Sequence, residues 1–163
     1  ERTFQLITQV AGRAGRGEIP GRVVIQTYNT EDFSIVTACR HDYKAFYEQE
    51  IKIRKMLDYP PFTNIAVLIL SGSNDRLAFE TAKEVRENLI KDFSSYAEKV
   101  DIFGPARSPL SKIKNKYRWR IIIKCKNMHI LLRVLTGVSD GFRRRKEKNR
   151  LYMSVDINPF NML

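Results

Sequence analysis

The sequence predicts a mixed α/β (α+β) protein, most of it a small open sandwich: one sheet with helices packed on one face. Three observations predict this. Short runs of β-branched and aliphatic residues alternate with longer stretches carrying apolar residues at i, i+3 and i+4. The pair Pro60-Pro61 interrupts the chain, and beyond it the pattern reads β-α-β, β-α-β. At 43% hydrophobic and 10% aromatic, the 163 residues can bury a real core.

The first 12 residues lean helical through Phe4, Leu6, Ile7, Val10 and Ala11, until Gly12, Gly15 and Gly17 interrupt them. Arg22–Tyr28 is short and β-branched, which predicts a strand. Glu31–Arg40 predicts a short helix after a turn at Asn29-Thr30. Asp42–Leu57 predicts a longer one, with Tyr43, Phe46, Tyr47, Ile53 and Leu57 inward. After Tyr59-Pro60-Pro61-Phe62, Asn64–Leu70 predicts a central strand, because it is near-continuously apolar. Arg76–Ala97 predicts an amphipathic helix, burying Leu77, Ala78, Thr81, Ala82, Val85, Leu89, Phe93 and Tyr96. Val100–Phe103 predicts a short strand closed by Gly104-Pro105. Tyr117–Lys126 predicts a strand, Met128–Leu135 and its continuation a helix, and Arg150–Ile157 a last strand.

Charge narrows the function classes. There are 29 Lys and Arg against 18 Asp and Glu, a net of +11. Residues 1–103 hold 14 basic and 15 acidic side chains; residues 104–163 hold 15 and only 3. The last 60 residues thus carry +12, which predicts a polyanionic partner, above all nucleic acid, bound in a salt-sensitive way. No apolar run reaches membrane-spanning length, and Glu1-Arg2-Thr3-Phe4 is no signal or transit peptide. Cys39 and Cys125 suit a reducing cytosol and have no partners at metal spacing, so no metal site is expected. His41 and His129 read as helix-start and helix-surface residues.

The segment Gln9-Val10-Ala11-Gly12-Arg13-Ala14-Gly15-Arg16 fits Q-x-x-G-R-x-G-R. Five specified positions occur together by chance at a given site on the order of once in a million. Two arginines flanked by glycines lie where backbone can approach a ligand closely. A guanidinium presents a planar, permanently charged fork to phosphate oxygens. Aimed at a transferring phosphoryl group, it contributes roughly 10³–10⁵ in rate.

This segment resembles motif VI of superfamily 2 helicases, at the end of the second RecA-like lobe. The likeness extends through Gly21–Asn29, His41-Asp42-Tyr43 with Phe46-Tyr47, Tyr59–Phe62, Gly104-Pro105-Ala106, Tyr117-Arg118-Trp119 and Val155–Pro159. The series resembles the C-terminal part of the primosomal replication-restart helicases, the PriA (primosomal protein N′) family. The resemblance implies an ATP-driven 3′→5′ DNA helicase of the bacterial cytoplasm and nucleoid, acting at abandoned replication forks. Its implied partners are branched and single-stranded DNA, single-strand-binding protein and other primosome proteins. It implies Gln9, Arg13 and Arg16 at the ATP site, with Arg16 as the finger, and ATP and Mg²⁺ as cofactors of the intact enzyme. It further implies 1–29 as the end of the helicase lobe, 30–57 as a helical connector, and 58–163 as a ribosomal-protein-like DNA-binding domain. The sequence lacks a P-loop (G-x-x-x-x-G-K followed by Ser or Thr), the acidic Mg²⁺-binding box and the family's cysteine-rich zinc module. It therefore reads as a monomeric fragment, expected neither to bind ATP nor to unwind DNA alone. Residues 1–30, short of most of the lobe's sheet, are expected to be poorly held or packed on the connector.

A second feature stands without the family. Lys112, Lys114, Lys116, Arg118, Arg120, Lys124 and Lys126 occupy even positions, with Ile122 among them; Ile113, Asn115, Tyr117, Trp119, Ile121, Ile123 and Cys125 are odd. In a strand this places cations about 6.6 Å apart on one face and an apolar surface on the other. If the part before Tyr117 is loop, the line is shorter. Such a face can track a phosphate backbone; it can equally be a solvated outer surface. Tyr117 and Trp119 can pack in the core or stack bases. Arg143, Arg144 and Arg145 open a basic tract that clamps a backbone, docks an acidic tail or is simply solvated. Asp156 is expected near the basic strand, forming a salt bridge if the two strands pair. The competing function is a non-catalytic basic module that binds single-strand-binding protein or RNA.

Overall fold

The computed structural model describes residues 1–14, 21–144 and 151–160. The chain divides into two compact units, Glu1–Leu57 and Asp58–Leu163.

In the first unit, helix α1 (Arg2–Ala11) packs with α2 (Phe33–Cys39) and α3 (Tyr43–Met56). Helices α2 and α3 start where short acidic side chains satisfy otherwise unpaired amides: Asp32 accepts from the Ser34 N–H and Asp42 from the Ala45 N–H, both at 2.9 Å. Phe4, Ala38 and Phe46 form the core, with Ile7 and Phe33 against it. Phe4 stacks on Phe46 at 4.4 Å between centroids, so α1 is held by the helices that follow it. The strand expected at Arg22–Tyr28 is absent: 21–28 is irregular, with Val24 and Tyr28 exposed. β-branched composition makes a strand only where a neighbour takes up its hydrogen bonds, and the described residues supply none.

The second unit is the expected mixed helix-and-sheet domain. Its elements are β1 (Asn64–Gly72), α4 (Asp75–Ser94), β2 (Val100–Ile113), β3 (Lys116–Cys125), α5 (Met128–Arg144) and β4 (Tyr152–Ile157). They build one antiparallel sheet in the order β2-β3-β1-β4, the split β-α-β arrangement of ferredoxin-like folds. The central strand β1 is near-continuously apolar, while β3 alternates apolar and cationic side chains. Ala66, Leu68, Leu70, Ile121, Ile123 and Cys125 meet Ala82, Val85 and Leu89 of α4 and Leu131, Val134 and Leu135 of α5. Asn74 caps α4 by accepting from the Leu77 N–H at 3.0 Å. Asn127 caps α5, accepting from the His129 and Ile130 amides at 3.0 and 3.2 Å.

Two expectations about the basic hairpin need correction. First, β2 does not stop at Phe103. Its register with β3 shifts between Phe103 and Ala106 and again between Arg107 and Lys112, and the strand runs on to Ile113. Gly104 makes the first irregularity possible, with φ at +100° and the backbone of β3 hard against it. Second, the even series from Lys112 to Lys126 is not one line. Lys114 and Asn115, both at positive φ, form the two-residue turn between β2 and β3. Lys112 pairs across that turn with Tyr117 and so shares Tyr117's face, its Nζ lying 4.8 Å from the tyrosine ring centre. The chain reverses at the turn, and parity cannot be counted through it.

A Cβ on residue 104 would stand 2.7 Å from the Arg120 carbonyl oxygen, at a φ that side chains rarely adopt. Gly104→Ala is expected to destabilise the second unit by about 1–3 kcal/mol. Urea unfolding followed by circular dichroism measures it.

Candidate nucleic-acid interface

The odd side chains of β3 point at the helices; its even ones point to the opposite side of the sheet. That opposite face is where the cations gather. In β3 it carries Lys116, Arg118, Arg120, Ile122 and Lys124. The register places Ser71, Ile69, Val67 and Ile65 of β1 opposite the last four of these. On β4 the same face shows Tyr152, Ser154 and Asp156, and on β2 it shows Asp101, Phe103 and Ala106.

Aromatic rings hold several of these cations in place. Lys116 Nζ lies 3.6 Å from the centre of the Tyr152 ring. Lys124 Nζ lies 4.5 Å from Tyr59 and 6.0 Å from Phe103. An ammonium over a π-face is oriented without losing its charge. Arg118 donates from Nη1 to the Leu110 carbonyl at 3.4 Å, bridging the irregular stretch of β2. Its planar fork retains further donors.

The other predicted cations lie elsewhere. Lys114 sits at the turn, Lys126 lies past the end of β3, and both are exposed. Lys112 is on the Tyr117 face. Arg143 and Arg144 end α5, in the helical layer, with Arg143 Nη1 3.9 Å from Asp140. Arg145 lies outside the described residues. Asp156 does not adjoin the basic strand: β4 pairs with β1, and β1 separates it from β3. Sequence reasoning missed Phe103 and Tyr152, which are 51% and 53% exposed on the cationic face. Their alternation was readable, but only strand order puts them on the same face as the β3 cations, Phe103 on the neighbouring β2 and Tyr152 on β4, beyond β1.

Trp119 packs, as one of its two readings required. It lies 4.4 Å from Phe79, and its Nε1 donates to Asp75 Oδ1 at 2.9 Å. Arg107 donates to the other Asp75 oxygen at 2.6 Å and covers the indole, its Cζ 4.8 Å from the ring centre. Desolvation pushes the Asp75 carboxyl up, but the bonds from Arg107 and Trp119 and the Arg107 charge overcome it and leave its pKa below the usual 3.8. The Cys125 thiol is buried, which pushes its pKa up, and it donates to the Asn127 carbonyl at 3.3 Å. Among the described residues no three His, Cys, Asp or Glu gather as metal ligands, and no helix is long and apolar enough to cross a membrane.

In the first unit, Gln9 stands exposed in the last turn of α1, and Arg13 follows the helix end, its amide donating to the Val10 carbonyl at 3.1 Å. Arg16 lies outside the described residues.

Comparison with known proteins decides the family. Residues 55–160 match the model of the primosomal protein N C-terminal domain. The chain belongs to this family. The replication restart protein PriA of Bacillus subtilis strain 168 is 37% identical over 163 residues, all of this chain and 20% of that protein. PriA of Synechocystis is 33% identical over 162 residues, 99% of this chain and 18% of that protein. PriA of Borreliella burgdorferi is 31% identical over 163 residues, 100% of this chain and 24% of that protein. The chain therefore spans about a fifth of the length of the curated relatives it matches. The family match covers the sheet domain, while the relatives' similarity also takes in α1 and the sequence that follows it, with Arg13 and Arg16.

The lowered pKa of Asp75 has a definite sign. A carboxyl depressed in the folded state contributes stability above its unfolded pKa and loses it as pH falls through the folded one. Acidification from about pH 5 to about pH 3 is expected to destabilise the second unit, and Asp75→Asn to flatten that dependence. Urea unfolding read by the sole tryptophan, Trp119, measures both.

Proposed function

We propose that this chain is the C-terminal part of an ATP-dependent 3′→5′ DNA helicase that promotes replication restart, and that its second unit binds DNA. The observation that carries the reading is the cationic column Lys116, Arg118, Arg120 and Lys124 on one face of a central strand. Its neighbours on β1, from Ile65 to Ser71, carry no charge. Lys and Arg on a fixed strand form a preset row of phosphate contacts, each releasing counterions from the nucleic acid. Phosphate contacts position a protein without reading sequence, which suits a protein that acts on fork structure. Forked and single-stranded DNA, single-strand-binding protein and other primosome proteins are the partners this reading entails.

The arginine motif gives the first unit its part. Gln9, Arg13 and Arg16 would line an ATP site in the intact enzyme, where a guanidinium neutralises charge on the transferring phosphoryl group. The exposed position of Arg13 beyond α1 fits that task. The nucleotide and Mg²⁺ would be held by residues outside this sequence, which has neither a P-loop nor an acidic box.

Changing Lys116, Arg118 and Arg120 together to Ala is expected to weaken DNA binding by roughly tenfold or more at low salt. The slope of log affinity against log salt should flatten by about 2–3. Fluorescence anisotropy of a labelled fork across a salt series measures both; unchanged affinity and slope sink the proposal. In the full-length protein, Arg16→Ala is expected to lower ATP turnover by about 10³-fold or more while fork affinity stays within about twofold. Phosphate release and anisotropy on the same preparation separate the two effects.

A further inference from the structure

The cationic face is not uniform, and its two ends would treat nucleic acid differently. At one end Asp101 stands directly across from Lys124, and Asp156 stands across from Val67 in the next row. Carboxylates there oppose a phosphate backbone. At the other end Lys116, Arg118 and Arg120 lie with Tyr152. Ser71 is paired with Arg118 on one side and Tyr152 on the other, so the guanidinium and the ring share a row about 10 Å across. Only a serine stands between them. Tyr152 has 53% of its surface exposed, and Lys116 holds its ring from 3.6 Å. This is an aromatic ring set in water beside a phosphate-binding row, with nothing in the core requiring it.

Resting on the DNA-binding reading above, we infer that Tyr152 is a stacking platform for an unpaired base whose backbone lies on Arg118 and Arg120. Bases inside a duplex present no free π-face to a side chain; an unpaired base does. The ligand of this half of the sheet is therefore single-stranded DNA, engaged without regard to sequence because every base can stack. Duplex DNA would meet the same cations but not the ring. Lys116 serves twice, orienting the tyrosine and adding charge beside the stacked base.

The test uses the whole chain with two fluorescent probes, an oligothymidine of about 20 nucleotides and a duplex of the same length. Tyr152→Ala is expected to weaken the single strand by about 5- to 100-fold, leave the duplex within about twofold and keep the salt slope. Tyr152→Leu, which preserves apolar bulk without a π-face, should behave as Tyr152→Ala does, and Tyr152→Phe should bind as the parent does. Circular dichroism melting matched to the parent shows that each variant is folded. Single-strand affinity within about twofold in both Tyr152→Ala and Tyr152→Leu overturns the inference, as does an equal loss on both probes. Arg118→Ala with Arg120→Ala tells the two readings apart. If that pair weakens both probes while the tyrosine variants do nothing, stacking alone is wrong. If the pair changes neither probe, the cationic reading beneath it falls as well.

Discussion

Strand β3 can occupy only one register. Its odd side chains, from Trp119 to Cys125, join the core, while its even ones include four cations. A slip of one residue would exchange the faces. Lys116, Arg118, Arg120 and Lys124 would enter the apolar layer against α4 and α5, at several kcal/mol of desolvation each even after relaxation. Ile121 and Ile123 would enter water. The incompatibility of the two faces therefore fixes the strand, and the strand, paired on both sides, fixes the sheet. The cationic face and the fold are specified by the same alternation.

Asp75 ties that sheet to the helical layer. It opens α4, and its two oxygens accept from Trp119 of β3 and Arg107 of β2. A carboxylate in the first turn of a helix also complements the helix dipole. The knot secures β2 beyond its first irregularity, where the ladder to β3 is broken and local pairing is weak. Holding Arg107 and Trp119 on the helix side leaves the opposite face to the cations. The indole is thereby committed to packing, and the aromatic rings available to a ligand are those on the flanking strands.

Local pattern sufficed where one face or stripe is buried, and failed where a distant neighbour decides the outcome. Asn64–Leu70 and Arg76–Ala97 were readable within a few residues of β1 and α4 because burial imposes their periodicity. Val100–Phe103 was read too short, since Gly-Pro marks the end of a strand unless glycine takes a positive φ and the strand resumes past a bulge. Composition predicts a strand at Arg22–Tyr28 but says nothing about a partner for it. The charged half of the candidate site was legible, and Lys112 was misplaced only because parity does not survive a turn. Tyr152 and Phe103 were not legible as site residues. Their sharing a face with the β3 cations depends on strand order, a property of the whole fold.

The charge imbalance also acquires a direction. Helix α4 carries Asp75, Glu80, Glu84, Glu87 and Asp92 against Arg76, Lys83, Arg86 and Lys91, one more acid than base. Strand β3 carries four cations and no acid. Helix α4 is thus nearly neutral, whereas strand β3 is the most cationic element of the unit. Within the sheet face the charge is uneven too, with Asp101 and Asp156 bordering the Lys124 end. The net charge says only that the chain is basic; the strand order determines which cations share a face.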